Sequence, residues 1–409
     1  MGRHDEEDAT LVKRSVCGGN STYQCSLGTF QLGYRPGLDG LRGVAILCVV
    51  AAHTERTGNW GGPMGVDFFF VLSGFLITSL LIEEWDLFHS ISLRSFYIRR
   101  ALRLLPALVI LIIVIVSFHW LASPKASAIQ TTVDGLIAFF YSTNWAVVLG
   151  FRQLVHTFGH TWTLSIEEQF YLTWPVILVF LLRRGVSRAS IVRFLILAMF
   201  LILMERVAIS IASASNGLAW INYATESRSD PLLAGCALSI ALSSGLIPMR
   251  PALKAAAKWL AWSTAVPGLI FVNVFAGLPV EFYSLGLHLA NAVFAALIAL
   301  ELLASQQGLL HRILAQPCLV YVGKISYGIY LWHYPIFVQV QAQHWGLGKE
   351  LTLEMMLTGT ATLASFYLLE RPILRFKKQF AYARRRGESQ ATGGENQEAP
   401  VGDGKGAGG

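Results

Sequence analysis

Two side chains, one at the start of the first long apolar run and one near its end, carry the most chemical meaning in this chain. Arg42 and His53 lie in LDGLRGVAILCVVAAH, eleven positions apart. On a helix of ~3.6 residues per turn that is close to three whole turns, so both fall on one face, ~16 Å apart along the axis. Ionisable groups inside apolar spans are costly and turn toward polar interiors, which makes them functional candidates. Histidine is the side chain best suited to take a proton from a hydroxyl near neutral pH. The plainer reading has Arg42 mark the cytoplasmic end of the span and His53 cap the other. Asp39 stands three residues before Arg42 and can pair with it. Asp67 opens the next apolar run, after a glycine-rich turn, and either orients the imidazole or caps a helix.

Four further clusters carry polar groups into apolar surroundings. In FYIRRALRLLPAL, Arg100 and Arg103 lie three apart on one helical face and Arg99 and Arg103 four apart, and guanidinium forks suit the phosphate oxygens of a nucleotide. The same arginines also serve as a plain topology signal. In HTWTLSIEEQFYLTWP, Glu167, Tyr171 and Trp174 follow an i, i+4, i+7 spacing and share one face. An interface belt accounts for the aromatics, whereas a glutamate within the span points to a cavity. Arg228 and Asp230, at the entry to a later span, pair with each other or contact a polar acceptor. In ISYGIYLWHYP, Ser326 and the aromatics line a groove for a sugar or lipid, or simply pack. His333 there reads as a hydrogen-bonded bundle histidine rather than a second base.

These clusters need a scaffold, and composition names it. Of 409 residues, 54% are hydrophobic and only 14% charged, too apolar for an ordinary soluble protein of this size. Many windows of ~18–22 residues are nearly uncharged, so the expected fold is an all-α polytopic membrane protein. The formal net charge of +7 does not call for nucleic acid, because the basic residues flank the apolar runs. The first apolar run lies behind a long polar head, so no cleavable signal peptide is expected. The cysteines at 17, 25, 48, 236 and 318 are scattered, and with dispersed histidines they form no metal pattern. Asn20-Ser21-Thr22 fits a glycosylation sequon but falls in a head expected to be cytoplasmic.

Charge asymmetry orders the spans. A polar tail over 1–35 precedes spans at about 37–55, 65–82 and onward to about Leu121. Arg94, Arg99, Arg100 and Arg103 fix the cytoplasmic side between the second and third. The apolar stretch 133–149 would place Arg183, Arg184, Arg188 and Arg193 outside if it crossed, so it is expected to be re-entrant or to lie against the bundle. Further spans are expected at about 162–182, 191–212, 231–247, 258–277, 283–304, 319–341 and 350–369, giving a bundle of about ten transmembrane helices. The transmembrane domain is bounded at 36–376. Residues 377–409 form a basic, then disordered, tail. Both termini are expected to be cytoplasmic, in the inner membrane of the cell.

Together these residues carry a family likeness. LDGLRGVAIL with His53, GVDFFFVLSGFLIT, FYIRRALRLLPAL, HTWTLSIEEQFYLTWP, RSDPLLAGC, ISYGIYLWHYPI and the Glu370–Pro372 ERP occur in order over about 34–375. The chain resembles the integral membrane acyltransferase-3 family, which includes O-acetylases of glycans. The resemblance implies a cytoplasmic acyl-CoA donor, acetyl-CoA for an acetylase, used as co-substrate with no bound cofactor. It implies acyl transfer to a hydroxyl of a glycan or related acceptor. The family's arginine–histidine pair looks like Arg42 and His53, and its paired arginines look like Arg100 and Arg103. Its Trp-Ser-Leu-x-x-Glu motif looks like Trp162 to Glu167, with Thr163 keeping the hydroxyl. His53 then serves as general base, or as the site of a covalent acyl-histidine intermediate. Some relatives carry a fused extracytoplasmic domain. With a disordered tail here, handover would involve a separate extracytoplasmic partner or not occur. Two other classes stay open. One is a glycan or lipid permease without chemistry, which interior charges also suit. The other is a non-catalytic scaffold, in which Arg100 and Arg103 tolerate change to Gln.

Overall fold

Residues 33–54, 62–212, 217–247 and 309–373 are described by a computed structural model. All regular structure among them is helical. In chain order the helices are α1 (Pro36–His53), α2 (Gly62–Phe88), α3 (Leu93–Ala122), α4 (Lys125–Phe139), α5 (Thr143–Val148), α6 (Trp162–Arg183) and α7 (Arg188–Ile211). Then follow α8 (Gly217–Tyr223), α9 (Asp230–Ser243), α10 (Leu309–Leu314), α11 (Pro317–Lys324), α12 (Ser326–Gln341) and α13 (Leu347–Ser365). A π-helical turn, Phe366–Glu370, continues α13. The described residues are therefore all-helical in their regular structure.

Local sequence explains where the helices start. Pro36 stands in the first turn of α1 with Asp39, a pre-set φ followed by a charge that favours the positive end of the helix dipole. The Ser92 and Ser187 hydroxyls each accept a backbone N–H three residues on, at 3.4 and 3.2 Å, capping α3 and α7. Five helices among the described residues are long and apolar enough to cross a membrane: α1, most of α2, α3, α6 with its leading turn, and α7. α9 is a shorter apolar helix. The expected spans at about 258–277 and 283–304, the distal part of the tail, and the basic positions Arg250, Lys254 and Lys258 lie outside the described residues.

Two of the expected segments are divided into separate helices. The stretch 133–149 is divided between the end of α4 and α5, with a turn over Phe140–Ser142 in which Tyr141 adopts φ 51°. Neither piece is long enough to span. The expected span 319–341 breaks at Ile325, so α11 and α12 are separate helices and Ser326 begins the second.

One close crossing joins α2 to α9. A Cβ on Gly74 would run into the Leu232 carbonyl, and one on Gly235 into the Val71 carbonyl. Without a strong hydrophobic drive between helices in lipid, close backbone approach at small residues is what holds such a pair. Replacing Gly235 with Val is expected to cost at least about 3 kcal/mol, the upper end for overpacking a core. Thermal unfolding of the detergent-purified protein checks this, and an unshifted midpoint would show that the helices separate freely.

Candidate active site

Three of the arginines singled out in the sequence converge on one cavity of about 300 Å³. Arg42 of α1, Arg100 and Arg103 of α3, and Glu167 of α6 face it together with Ser73, Thr163, Ser326 and Tyr330. The remaining wall is apolar, with Phe69, Phe70, Leu76, Leu80 and Leu164 among its members. The volume sits at the lower edge of the ~300–1,000 Å³ typical of small-ligand sites.

Several of these polar groups are held from a neighbouring helix. Arg42 donates from Nη2 to Ser326 Oγ (3.2 Å), so the first residue of α12 fixes it. Among the described residues its i, i+3 ion pair with Asp39 is not made. The guanidinium turns to the cavity wall instead. Ser73 Oγ donates to Glu167 Oε1 (2.9 Å), joining α2 to α6. The Arg100 guanidinium lies 3.4 Å from the centroid of the Tyr171 ring, and its Nη2 is 3.8 Å from Glu168 Oε1. Tyr171 is thus a platform under Arg100 rather than part of the cavity wall. Arg99 faces elsewhere, 3.8 Å from Glu84, and the structure does not bring it to the cavity with its two neighbours.

His53 belongs to a second group. Its ring centroid is 5.1 Å from that of His333 and 5.2 Å from that of Tyr334. His333 is 5.6 Å from His160, and His160 stacks on Tyr334 at 5.0 Å. His53 Nδ1 lies 2.8 Å from the Val49 carbonyl, which can only accept. The proton therefore sits on Nδ1 and leaves Nε2 with its lone pair, the form a base requires. His333 is set the same way, Nδ1 donating to Tyr330 O (2.7 Å), with Nε2 lacking a partner among the described residues.

Asp67 was the sequence candidate for orienting His53, but the Val49 carbonyl holds that position. Asp67 Oδ1 instead accepts from Arg228 Nη2 (2.7 Å), where both side chains are buried. Asp230 is bound by Arg206, which also donates to the Ser227 carbonyl. Arg228 and Asp230, read as a loop pair, thus each reach across to another helix, where burial makes a partner worth most. Arg206 was missed, although an ionisable side chain inside the expected span 191–212 is itself a signal.

Tyr330 links the two groups. It lines the arginine cavity, and its ring lies 5.3 Å from His160 and 5.6 Å from His333. Its hydroxyl is 2.5 Å from Thr163 Oγ1 and donates to the His160 carbonyl. His53 is not in the wall of the arginine cavity. The site is thus a cavity and an imidazole cluster with this tyrosine between them. His160 and Tyr330 were legible as a histidine entering a span and an aromatic on the His333 helix face, but nothing in the sequence paired them. At the far edge of the cluster, Asp134 Oδ2 accepts from the His156 and Phe158 N–H groups (3.0 and 2.9 Å). Burial raises the Asp134 carboxyl above its ordinary value, and those backbone groups oppose the shift.

A helical membrane bundle with a cation-faced cavity beside buried imidazoles has the build of a membrane enzyme. The chain belongs to the acyltransferase-3 family, whose acyltransferase domain matches residues 35–371. It is 33% identical over 359 residues to the O-acetyltransferase OatA of Staphylococcus aureus, covering 83% of this chain and 57% of that protein. It is 32% identical over 313 residues to the peptidoglycan O-acetyltransferase OatA of Listeria monocytogenes, covering 74% and 49% respectively. To the putative peptidoglycan O-acetyltransferase YrhL of Bacillus subtilis it is 33% identical over 359 residues, covering 83% and 55%. The chain thus spans about half the length of the curated relatives it matches. No solved structure matches it.

The buried pairs yield a stability prediction. Arg206→Met strands the Asp230 carboxylate and is expected to cost ~3–5 kcal/mol, whereas Arg206→Met with Asp230→Leu recovers most of it. Thermal unfolding of the three proteins distinguishes a buried pair from an incidental contact, in which case the single variant would match the parent.

Proposed function

We propose that this protein transfers an acyl group, acetyl in the simplest case, from acyl-CoA to a hydroxyl of a glycan. The observation that carries the reading is the juxtaposition of the arginine-faced cavity with the imidazole cluster across Tyr330. The relatives' names add acetyl as the group and peptidoglycan as their acceptor.

The chemistry follows from the side chains. Arg100 and Arg103 suit the phosphates of the donor at the cavity mouth, and the apolar wall suits its thiol arm. A cavity of this size takes the acylated arm and leaves the nucleotide outside. α12 begins at the same cavity with Ser326, so the positive end of its dipole adds to the field. Arg42, at the same cavity, positions the donor or stabilises charge in the cavity. Glu167 tunes the charge on that wall. The cavity end lies on the cytoplasmic side in this reading, which the arginines in the first turns of α3 support, with both termini on that side of the inner membrane.

For transfer, Tyr330 gives way to the thioester, which then meets the acceptor hydroxyl at the imidazole cluster. His53 Nε2 takes the hydroxyl proton as the oxygen attacks the carbonyl carbon. The carbon–sulfur bond breaks, and the proton passes to the departing thiolate, leaving ester and free CoA. His333 holds its lone pair beside His53 and keeps that side of the cluster uncharged.

His53→Ala is expected to lower acceptor-dependent CoA release by ~10²–10⁴-fold while the helical content is kept. Near-parental turnover would return His53 to a capping role. Arg100→Gln combined with Arg103→Gln is expected to raise KM for acetyl-CoA by at least ~10-fold with less effect on kcat, since the lost bonds act in binding. Tolerance of both changes would favour the scaffold, and acceptor movement without CoA release would favour a permease.

A further inference from the structure

The described residues enclose a second cavity, of about 220 Å³, on the other side of the imidazole cluster. Its wall includes His119 of α3, Gln130, Thr131 and Asp134 of α4, His156 of the following loop, and Gln339 of α12. Helix α12 sets the order of the sites. Ser326, Tyr327 and Tyr330 line the arginine cavity, Pro335 and Gln339 line this one, and His333 falls between them. The cavity lies at the His53 end of the bundle, because Gln341 Nε2, near the end of α12, donates to the His53 carbonyl (3.1 Å). Tyr334, beside Pro335, is 5.2 Å from His53 ring to ring.

The two cavities differ in chemistry. No arginine or lysine lines the second, and Asp134 faces it, so a phosphate is poorly matched. Imidazole, amide and hydroxyl groups both donate and accept, which matches a ligand whose own hydroxyls do the same. Asp134 is buried, its Oδ2 is taken by two backbone N–H groups, and its Oδ1 has no hydrogen-bond partner among the described residues. A buried carboxylate oxygen left without a donor costs free energy unless a ligand or water supplies one.

We propose that this cavity binds a sugar unit of the acceptor, with Asp134 Oδ1 and Gln339 bonding its hydroxyls and one further hydroxyl turned to the imidazole cluster. The assignment rests on the acyl-transfer reading for the role of the bound sugar, though not for its binding.

The test uses the full chain in detergent and a soluble N-acetylglucosamine oligosaccharide as probe. Saturation-transfer NMR reads contact with the sugar, and thiol release from acetyl-CoA reads the donor reaction with and without it. Gln339→Leu and Asp134→Asn are compared with the parent. Asn keeps an oxygen for the backbone bonds and replaces the acceptor at Oδ1 with a donor. Both variants are expected to raise KM for the oligosaccharide by about 10-fold, weaken its saturation transfer, and leave sugar-free thiol release unchanged. His53→Ala should keep the sugar contact. Parental KM and sugar contact in folded Gln339→Leu would overturn the assignment, as would absence of sugar contact in the parent. Sugar contact that depends on Gln339, without any thiol release from the parent, would instead reject the acyl-transfer reading and leave the cavity assigned.

Discussion

Charge inside an apolar bundle has to be partnered, and this constraint organises the molecule. Removing an ion from water costs several kcal/mol even after relaxation, so buried arginines and carboxylates meet across helices. Arg206 reaches Asp230 at the start of α9, and Arg228, just before it, reaches Asp67 at the start of α2. These contacts tie α7, α9 and α2 at one end, beside the crossing that Gly74 and Gly235 allow. The arginine cavity departs from that rule. Among the described residues, neither Arg42 nor Arg103 has an ion-pair partner, and Glu167 is the carboxylate on the wall they share. A cavity faced by more guanidinium than carboxylate is a place where an anion lowers the free energy of the fold as it binds.

Helix α12 is the axis along which the chemistry is laid out. Its break from α11 at Ile325 puts Ser326 within reach of Arg42. A turn later Tyr330 spans from Thr163 to the His160 carbonyl, and beyond it His333 stands against His53. A continuous span could not both offer its N-terminus to one cavity and carry its middle to the imidazoles. The tyrosine divides the charged compartment from the uncharged one, which keeps a basic imidazole away from cations that would disfavour its protonated form.

Parts of this arrangement were readable from residue order alone. The apolar runs announced the long helices α1, α2, α3, α6 and α7, since ~20 uncharged residues have few other uses. Arg42, Arg100, Arg103 and Glu167 stood out because ionisable groups are rare in such runs, and the structure collects them at one cavity. Arg99 met the same criterion, yet its neighbour is Glu84, although helical spacing puts it only ~40° from Arg103. The break at Ile325 left no proline or glycine at the site itself, so periodicity ran through it. The partition of 133–149 into α4 and α5 was legible only as a conflict in charge counting.

Sequence by itself determined the solvent, the helical class and which rare side chains had to be accounted for, because burying backbone and charge in lipid admits so few solutions. It also supplied His53 as a candidate base. Tertiary structure alone decided the partners: that the Val49 carbonyl fixes the His53 tautomer, that Asp67 serves Arg228, and that His160, Tyr330 and His333 gather beside His53. Apart from the Val49 contact, one helical turn away, the pairings across helices join residues more than a hundred positions apart. Helical periodicity specifies the face a side chain occupies, but only packing specifies which other helix that face meets.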